Sequence, residues 1–308
     1  MTASAPTATR PKSSLRKLRR NEAFWGILLA LPAILGFVLW QFIPMVGSLF
    51  IGFTDWRLTG SPDWIGLQNF ERIFRDRLFF QALRVTAIYA VFSVPLGLAL
   101  AFAIALLLNQ KVRGLPIFRT IFYIPSIVPV VASSVLWIWL FNPDFGLLNA
   151  MLRSIGLPKL QWIYASNTVI PSLILMSFWG IGGTMLIFLA GLQGVPNHLY
   201  EAVDIDGGNL WHKFRNVTLP MMTPTIFFNL VLSVINALQT FTQGYIMTNG
   251  GPNNASLFYA LYIYRKAFQQ TQLGYASALA LILFLLITVL SFLLIRSSSS
   301  WVYYHGDR

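Results

Sequence analysis

Residues 196–220 read PNHLYEAVDIDGGNLWHKFRNVTLP, a polar passage between two long apolar runs. Three of the ten acidic residues of the chain, Glu201, Asp204 and Asp206, fall within six positions of one another here. Carboxylates so crowded do not sit in hydrocarbon, where a charged side chain costs roughly 3 kcal/mol or more. The passage therefore projects from whatever medium holds its neighbours. Locally, Asn197 is a fair N-cap, and His198 to Asp206 make about two helical turns that end at Gly207 and Gly208. A second segment starts at Asn209, with Trp211, Phe214 and Thr218 recurring on one side and Lys213 and Arg215 left to solvent. The spacing predicts helix, glycine turn, helix: a short hairpin that a soluble protein can grip, or else a solvated connecting loop.

Composition identifies the medium. Of 308 residues, 56% are hydrophobic and 10% charged, and the mean hydropathy is +0.64. A soluble domain carries about 25% charged residues. The chain reads as an all-α polytopic membrane protein. Its net charge of +12 flanks apolar spans and so speaks of membrane orientation rather than nucleic acid. With no cysteine and three scattered histidines, thiolate chemistry and a zinc site are not expected. The sequence implies no cofactor.

Six apolar runs reach the roughly 20 residues needed to cross a bilayer: about 25–50, 85–108, 120–141, 169–191, 221–246 and 275–295. Residues 1–22 read as a disordered basic arm, 23–296 as the membrane domain and 297–308 as a tail, with both termini cytoplasmic. That topology puts 13 of the 22 lysines and arginines inside and 9 outside, and it places the 196–220 hairpin in the cytoplasm. Outside, GLQNFERIFRDRLFFQALRVT (66–86) reads as an interfacial helix lying along the membrane. TNGGPNN (248–254) reads as a turn.

No GxxxxGK[ST] phosphate loop is present, so the chain is not itself a P-loop ATPase. Carboxylates on an exposed hairpin without a pocket are solvated or paired rather than catalytic. None of the six runs contains Asp, Glu, Lys, Arg or His. This weakens the main alternative, a proton-coupled secondary transporter, because protonation of a buried side chain is its switch; a channel-like bundle without an ATPase also stays open. The polar groups in the spans are neutral. Ser233, Asn236, Ala237 and Thr240 follow helical spacing in the fifth run, with Gln243 one turn further and Gln239 at the border. Ser177, Gly180, Ile181 and Thr184 form a similar stripe in the fourth. Such groups suit a polyhydroxylated solute; they equally suit interhelical packing.

The hairpin resembles the EAA motif of membrane subunits of binding-protein-dependent ABC importers of type I, especially the sugar branch. The residues that match are Glu201, Ala202, Asp206, Gly207, Leu219 and Pro220; Val203 and Gly208 stand where the family has alanines. Further similar stretches are GLQNF, NQKVRGLPIFRTIFYIPSIVP, FNPDFGLLN, AGLQGVPNHLYEA, TNGGPNN and LGYASALA. The resemblance implies a six-helix permease subunit that pairs with a second, related permease subunit as a heterodimer. It further implies two ATP-binding subunits gripping the hairpin and an extracytoplasmic solute-binding protein delivering a sugar. Similarity to the maltose-importer membrane subunit implies solute contacts at Ser177, Gly180, Ile181, Thr184, Ser233, Asn236, Ala237 and Thr240.

Overall fold

A computed structural model describes residues 12–58, 60–110 and 113–303. The elements, in order, begin with α1 (Lys12–Phe37), which runs through a π-helical turn into α2 (Ile43–Ile51). A short α3 (Gln68–Arg75) precedes the long α4 (Arg77–Leu108). Next come α5 (Leu115–Ile127), α6 (Val130–Leu140), α7 (Leu147–Ser154), α8 (Val169–Ser177) and α9 (Gly182–Gln193). The hairpin helices are α10 (Asn197–Ile205) and α11 (Leu210–Lys213); α11 continues through a π-helical stretch into α12 (Leu219–Leu238). The chain closes with α13 (Tyr259–Tyr264) and α14 (Leu273–Trp301). Among the described residues the one strand-like pairing is the isolated Thr54–Trp64 bridge.

Four helices are long and apolar enough to cross a membrane, and there are six spans if each of two bent pairs counts as one. The differences from the sequence-based expectation have local causes. The third span is no straight rod: α5 and α6 meet at 98°, because Pro129 lacks an N–H and drives Val128 into extended backbone (φ −67°, ψ 129°). Residues 66–86 are not one interfacial helix. Only Gln68–Arg75 stands alone; Asp76 accepts from the Leu78 N–H at 2.9 Å and caps α4, which absorbs the rest.

The fifth span starts earlier and ends sooner than expected. One continuous helix covers Leu210–Leu238, and the Gln239 N–H is shared between the Ile235 and Asn236 carbonyls, a tightening that ends the helix. The arm also departs from expectation: helix begins at Lys12, since leucine, lysine and arginine there are good helix formers with no breaker before the span. Residues 1–11 lie outside the described residues. At the other end α14 runs past 296 to Trp301, and 304–308 of the expected tail lie outside the described residues. The longer helices also bring Arg84 into α4 and Arg119 into α5. The Arg119 Nη2 donates to the Leu108 carbonyl at 3.2 Å, satisfying the C-terminal end of α4.

Helix α4 is the centre of the bundle, packed along α9 and α12 and, nearer its start, along α8 and α13. Two apolar cores result. The larger joins Phe79, Val85 and Tyr89 of α4 to Leu173 of α8, Tyr259 and Tyr262 of α13 and Leu279 of α14. The smaller joins Ala101 and Ala105 to Met185, Phe188 and Leu192 of α9 and Met222 of α12. Gly182 lets α9 approach α5: a Cβ there would lie 2.5 Å from the Phe122 carbonyl oxygen. The first span joins neither core: none of its most apolar stretch is buried, and its end, α2, packs against α14.

At the end of the larger core, Asp76 accepts from the Tyr262 hydroxyl and, at 2.8 Å, from the Tyr275 hydroxyl. Lys266 lies over both rings, 5.3 and 5.2 Å from their centroids. Burial opposes ionisation of Asp76, but these hydroxyls and the Leu78 amide together hold its carboxyl below the usual aspartate range. The node ties the α3–α4 junction to α13 and to the start of α14.

Candidate functional site

Two features stand out, one at a tip and one in a hollow. The tip is the hairpin. Pro196 occupies the N-cap position with its fixed φ of −63°, which makes Asn197 the first helical residue rather than the cap. The C-terminal end of α10 is closed by Gly207 at φ +71°. There the Gly208 N–H donates to the Val203 carbonyl at 2.8 Å and the Gly207 N–H to the Asp204 carbonyl at 3.0 Å. This paired closure is the Schellman arrangement, which needs a left-handed residue where glycine stands. Asn209 then caps α11, accepting from the His212 N–H at 3.1 Å while its own N–H donates to His212 Nδ1 at 3.3 Å.

Side chains lock the two arms together. Lys213 Nζ lies 2.6 Å from Asp204 Oδ1 and donates to Oδ2 at 2.8 Å, so this lysine is paired rather than left to solvent as its spacing suggested. At the base, the hydroxyls of Tyr200 and Thr218 lie 3.1 Å apart. Glu201, Ala202, Asp206 and Gly207 are exposed on the outer arm and turn, while Leu219 and Pro220 sit one helix further on, in the first turn of α12. The feature that sequence pattern does not reveal is apolar. Ile205, Leu210 and Trp211 are 87%, 83% and 61% exposed around the turn, so the tip is a greasy edge with carboxylates behind it.

The hollow lies between the two cores and has a volume of about 240 Å³. From the bend between α8 and α9, which is 49°, come Ser177, Gly180, Ile181 and Thr184. Opposite stand Ser233, Asn236 and Ala237 of α12, with Thr240 and Gln243 beyond its end. Thr240 stays in register although the helix has ended, because its N–H donates to the Ala237 carbonyl at 3.3 Å. Gln239 does not join them; it is exposed at the helix end. The two stripes thus share one hollow despite breaks in both helices.

A third wall is one that the sequence analysis did not identify. Tyr89, Ser93 and Gly97 of α4 line the same hollow, flanked by Val94 and Leu98. Tyr89 and Ser93 share this hollow with Ser177 and Thr240 of the other two walls. Their i, i+4, i+8 spacing in the second span was the available signal. No Asp, Glu, Lys, Arg or His among the described residues lines the hollow. Among the described residues no group of three or more His, Asp or Glu could hold a metal ion. What the lining can do is exchange hydrogen bonds with neutral hydroxyls and amides.

Comparison with known proteins agrees with this architecture. Residues 93–300 match the family model described as binding-protein-dependent transport system inner membrane component. The chain is 40% identical over 311 residues to the probable ABC transporter permease protein YesP of Bacillus subtilis (strain 168), covering 99% of each. It is 31% identical to the trehalose/maltose transport system permease protein MalF of Thermococcus litoralis (91% of this chain, 94% of that one). It is 34% identical to the diacetylchitobiose uptake system permease protein NgcF of Streptomyces coelicolor (85% and 77%). The fold is similar to that of a chain in a bacterial alginate ABC transporter solved with an alginate pentasaccharide-bound periplasmic protein. There the TM-score is 0.81 at 23% identity, covering 92% of this chain and 96% of that chain.

Proposed function

Because the chain belongs to the family of binding-protein-dependent transport system inner membrane components, we propose that its hollow is one half of the translocation pathway for a sugar or related polyhydroxylated solute. The observation that carries this reading is the lining itself: hydroxyls, two amides and backbone-exposing glycine between two apolar cores, with no charged side chain among the described residues. Solute hydroxyls bind such a surface without demanding a counter-ion. Its volume of about 240 Å³ falls short of the roughly 300–1,000 Å³ of a complete ligand site, which fits a pathway completed by a second permease subunit. The relatives named for trehalose/maltose and diacetylchitobiose support a neutral saccharide.

In this reading the chain is a non-catalytic multi-pass membrane subunit, and ATP is hydrolysed by two ATP-binding subunits that hold the 196–220 hairpin. The exposed Ile205, Leu210 and Trp211 enter an apolar socket on such a subunit, and Glu201 and Asp206 rim it. Both termini and the hairpin lie in the cytoplasm. An extracytoplasmic solute-binding protein delivers the solute to the opposite face, where α3, α7 and α13 lie. The polar stripes bind solute, with Tyr89 as the buried member of the α4 wall.

The test is purification of the intact complex and reconstitution with its binding protein, followed by a panel of neutral sugars. A neutral saccharide should stimulate ATP hydrolysis and be taken up. Asn236→Leu should abolish uptake while the assembled complex still hydrolyses ATP. Unchanged uptake in that variant reassigns the stripe to helix packing, and a complex without an ATPase refutes the coupling role of the hairpin.

A further inference from the structure

A second groove, of about 940 Å³, runs between α4 and α8 and is lined by a different face of α4 from the polar hollow. One wall is a single stripe of α4, Arg84, Ile88, Phe92 and Leu96, spaced four residues apart. The other is apolar surface of α8, Ile174 and Leu175 among it. Its polar groups gather at one end, where Arg84 is joined by Gln81, Asn167 and Asn253, the last from the turn after the fifth span.

Arg84 is exposed, and among the described residues it makes no ion pair or hydrogen bond; no carboxylate lines the groove. A guanidinium without a partner beside amide donors selects an anion, and its planar fork suits a phosphate. Below it, Arg84 to Leu96 spans roughly 18 Å at 1.5 Å per residue. That length matches one leaflet of a hydrocarbon core about 30 Å thick. A sugar would find few partners along this apolar length, and a free phosphate would leave the apolar length unused.

We propose that this groove is a binding site for an anionic phospholipid, its phosphate on Arg84 and one acyl chain lying along Ile88, Phe92 and Leu96 between α4 and α8. The lipid seals the bundle beside the bend at Ser177–Gly180 and leaves the polar hollow to the solute.

The experiment is native mass spectrometry of the full-length chain in its assembled complex, washed with detergent and offered phosphatidylglycerol or phosphatidylcholine. Wild type and Arg84→Lys should retain phosphatidylglycerol, and Arg84→Gln should retain about tenfold less, the scale of one lost charge-assisted contact. Arg57→Gln, an exposed arginine outside the groove, should behave as wild type. Equal retention of both lipids, or equal retention by wild type and Arg84→Gln, overturns the proposal. Because the chain has no cysteine, Phe92→Cys can carry a unique photo-crosslinker in membranes. It should label lipid; labelling of a polypeptide gives the groove to a partner chain instead and overturns the proposal as well.

Discussion

Replacing Gly207 isolates the shape of the hairpin from everything else it does. The residue sits at φ +71°, yet a Cβ built there meets nothing within 4 Å, so bulk alone is tolerated and backbone conformation decides the outcome. A β-branched residue held in the left-handed region costs roughly 1–2 kcal/mol. If the turn relaxes instead, it gives up the Gly208–Val203 and Gly207–Asp204 bonds, each worth roughly 0.5–1.5 kcal/mol. Either route shifts the balance against the native turn by about 5- to 30-fold. Gly207→Val should therefore assemble normally and lose about fivefold or more in solute moved per ATP hydrolysed. Gly207→Ala should fall between that variant and wild type. Gly207→Asn should stay near wild type, because asparagine enters this region with little penalty. The assay is coupled uptake and ATP hydrolysis in proteoliposomes holding the whole complex. Wild-type coupling in the valine variant, or equal damage from asparagine and valine, would refute the reasoning.

Contacts elsewhere in the bundle give further expected outcomes. Lys213→Met removes the 2.6 Å pairing with Asp204; because the pair is partly exposed, stability should drop by no more than about 1 kcal/mol, while a double-mutant cycle with Asp204→Ala on coupling efficiency should be non-additive. Tyr89→Phe should leave assembly intact and lower apparent solute affinity, read by the sugar dependence of stimulated ATPase activity, since a hydroxyl is lost from a hollow that Ser177 and Thr240 also line. Gly182→Leu should impair folding or assembly in membranes, measured by yield of intact complex, because even its Cβ would lie 2.5 Å from the Phe122 carbonyl oxygen. Asp76→Ala removes two tyrosine hydrogen bonds to a carboxylate and should cost about 3 kcal/mol or more in thermal or denaturant unfolding. The carboxyl is held below its ordinary range, so its contribution is full above the unfolded-state value of about 3.9 and is lost as pH falls below it; acid should destabilise the wild type more than Asp76→Ala.

The spans were legible because a run of about 20 apolar residues matches the thickness of a bilayer and little else, and the hairpin because carboxylates and paired glycines interrupt such a run. What escaped was local geometry set by single residues. Pro129 turns one apolar run through a right-angle bend, and nothing in composition distinguishes that from the tolerated Pro32 inside α1. Asp76 splits an apparently continuous amphipathic segment because its carboxylate caps a new helix. In the hollow, two of the three walls were readable as neutral stripes at helical spacing, and they converge although both helices break. The α4 wall escaped because Tyr89 and Ser93 are isolated among apolar residues and acquire meaning only when Ser177 and Thr240 are set opposite them.

The chain's connectivity joins the hairpin directly to the hollow. The hairpin is the direct continuation of two helices that line the hollow: α9 enters it and α12 leaves it. Thr184 lies roughly 14 Å of helix above the end of α9, and Ser233 roughly 21 Å above the start of α12, at 1.5 Å per residue. The Asp204–Lys213 and Tyr200–Thr218 contacts bind the two arms, and α9 also packs along α12. The pair is therefore cross-tied from the hairpin to the hollow, and α4 packs along both. The breaks lie at the hollow itself, where α8 meets α9 at 49° and α12 ends at Leu238. A load on Ile205 and Leu210 thus has a continuous helical path to Thr184 and Ser233, two residues of the hollow's lining.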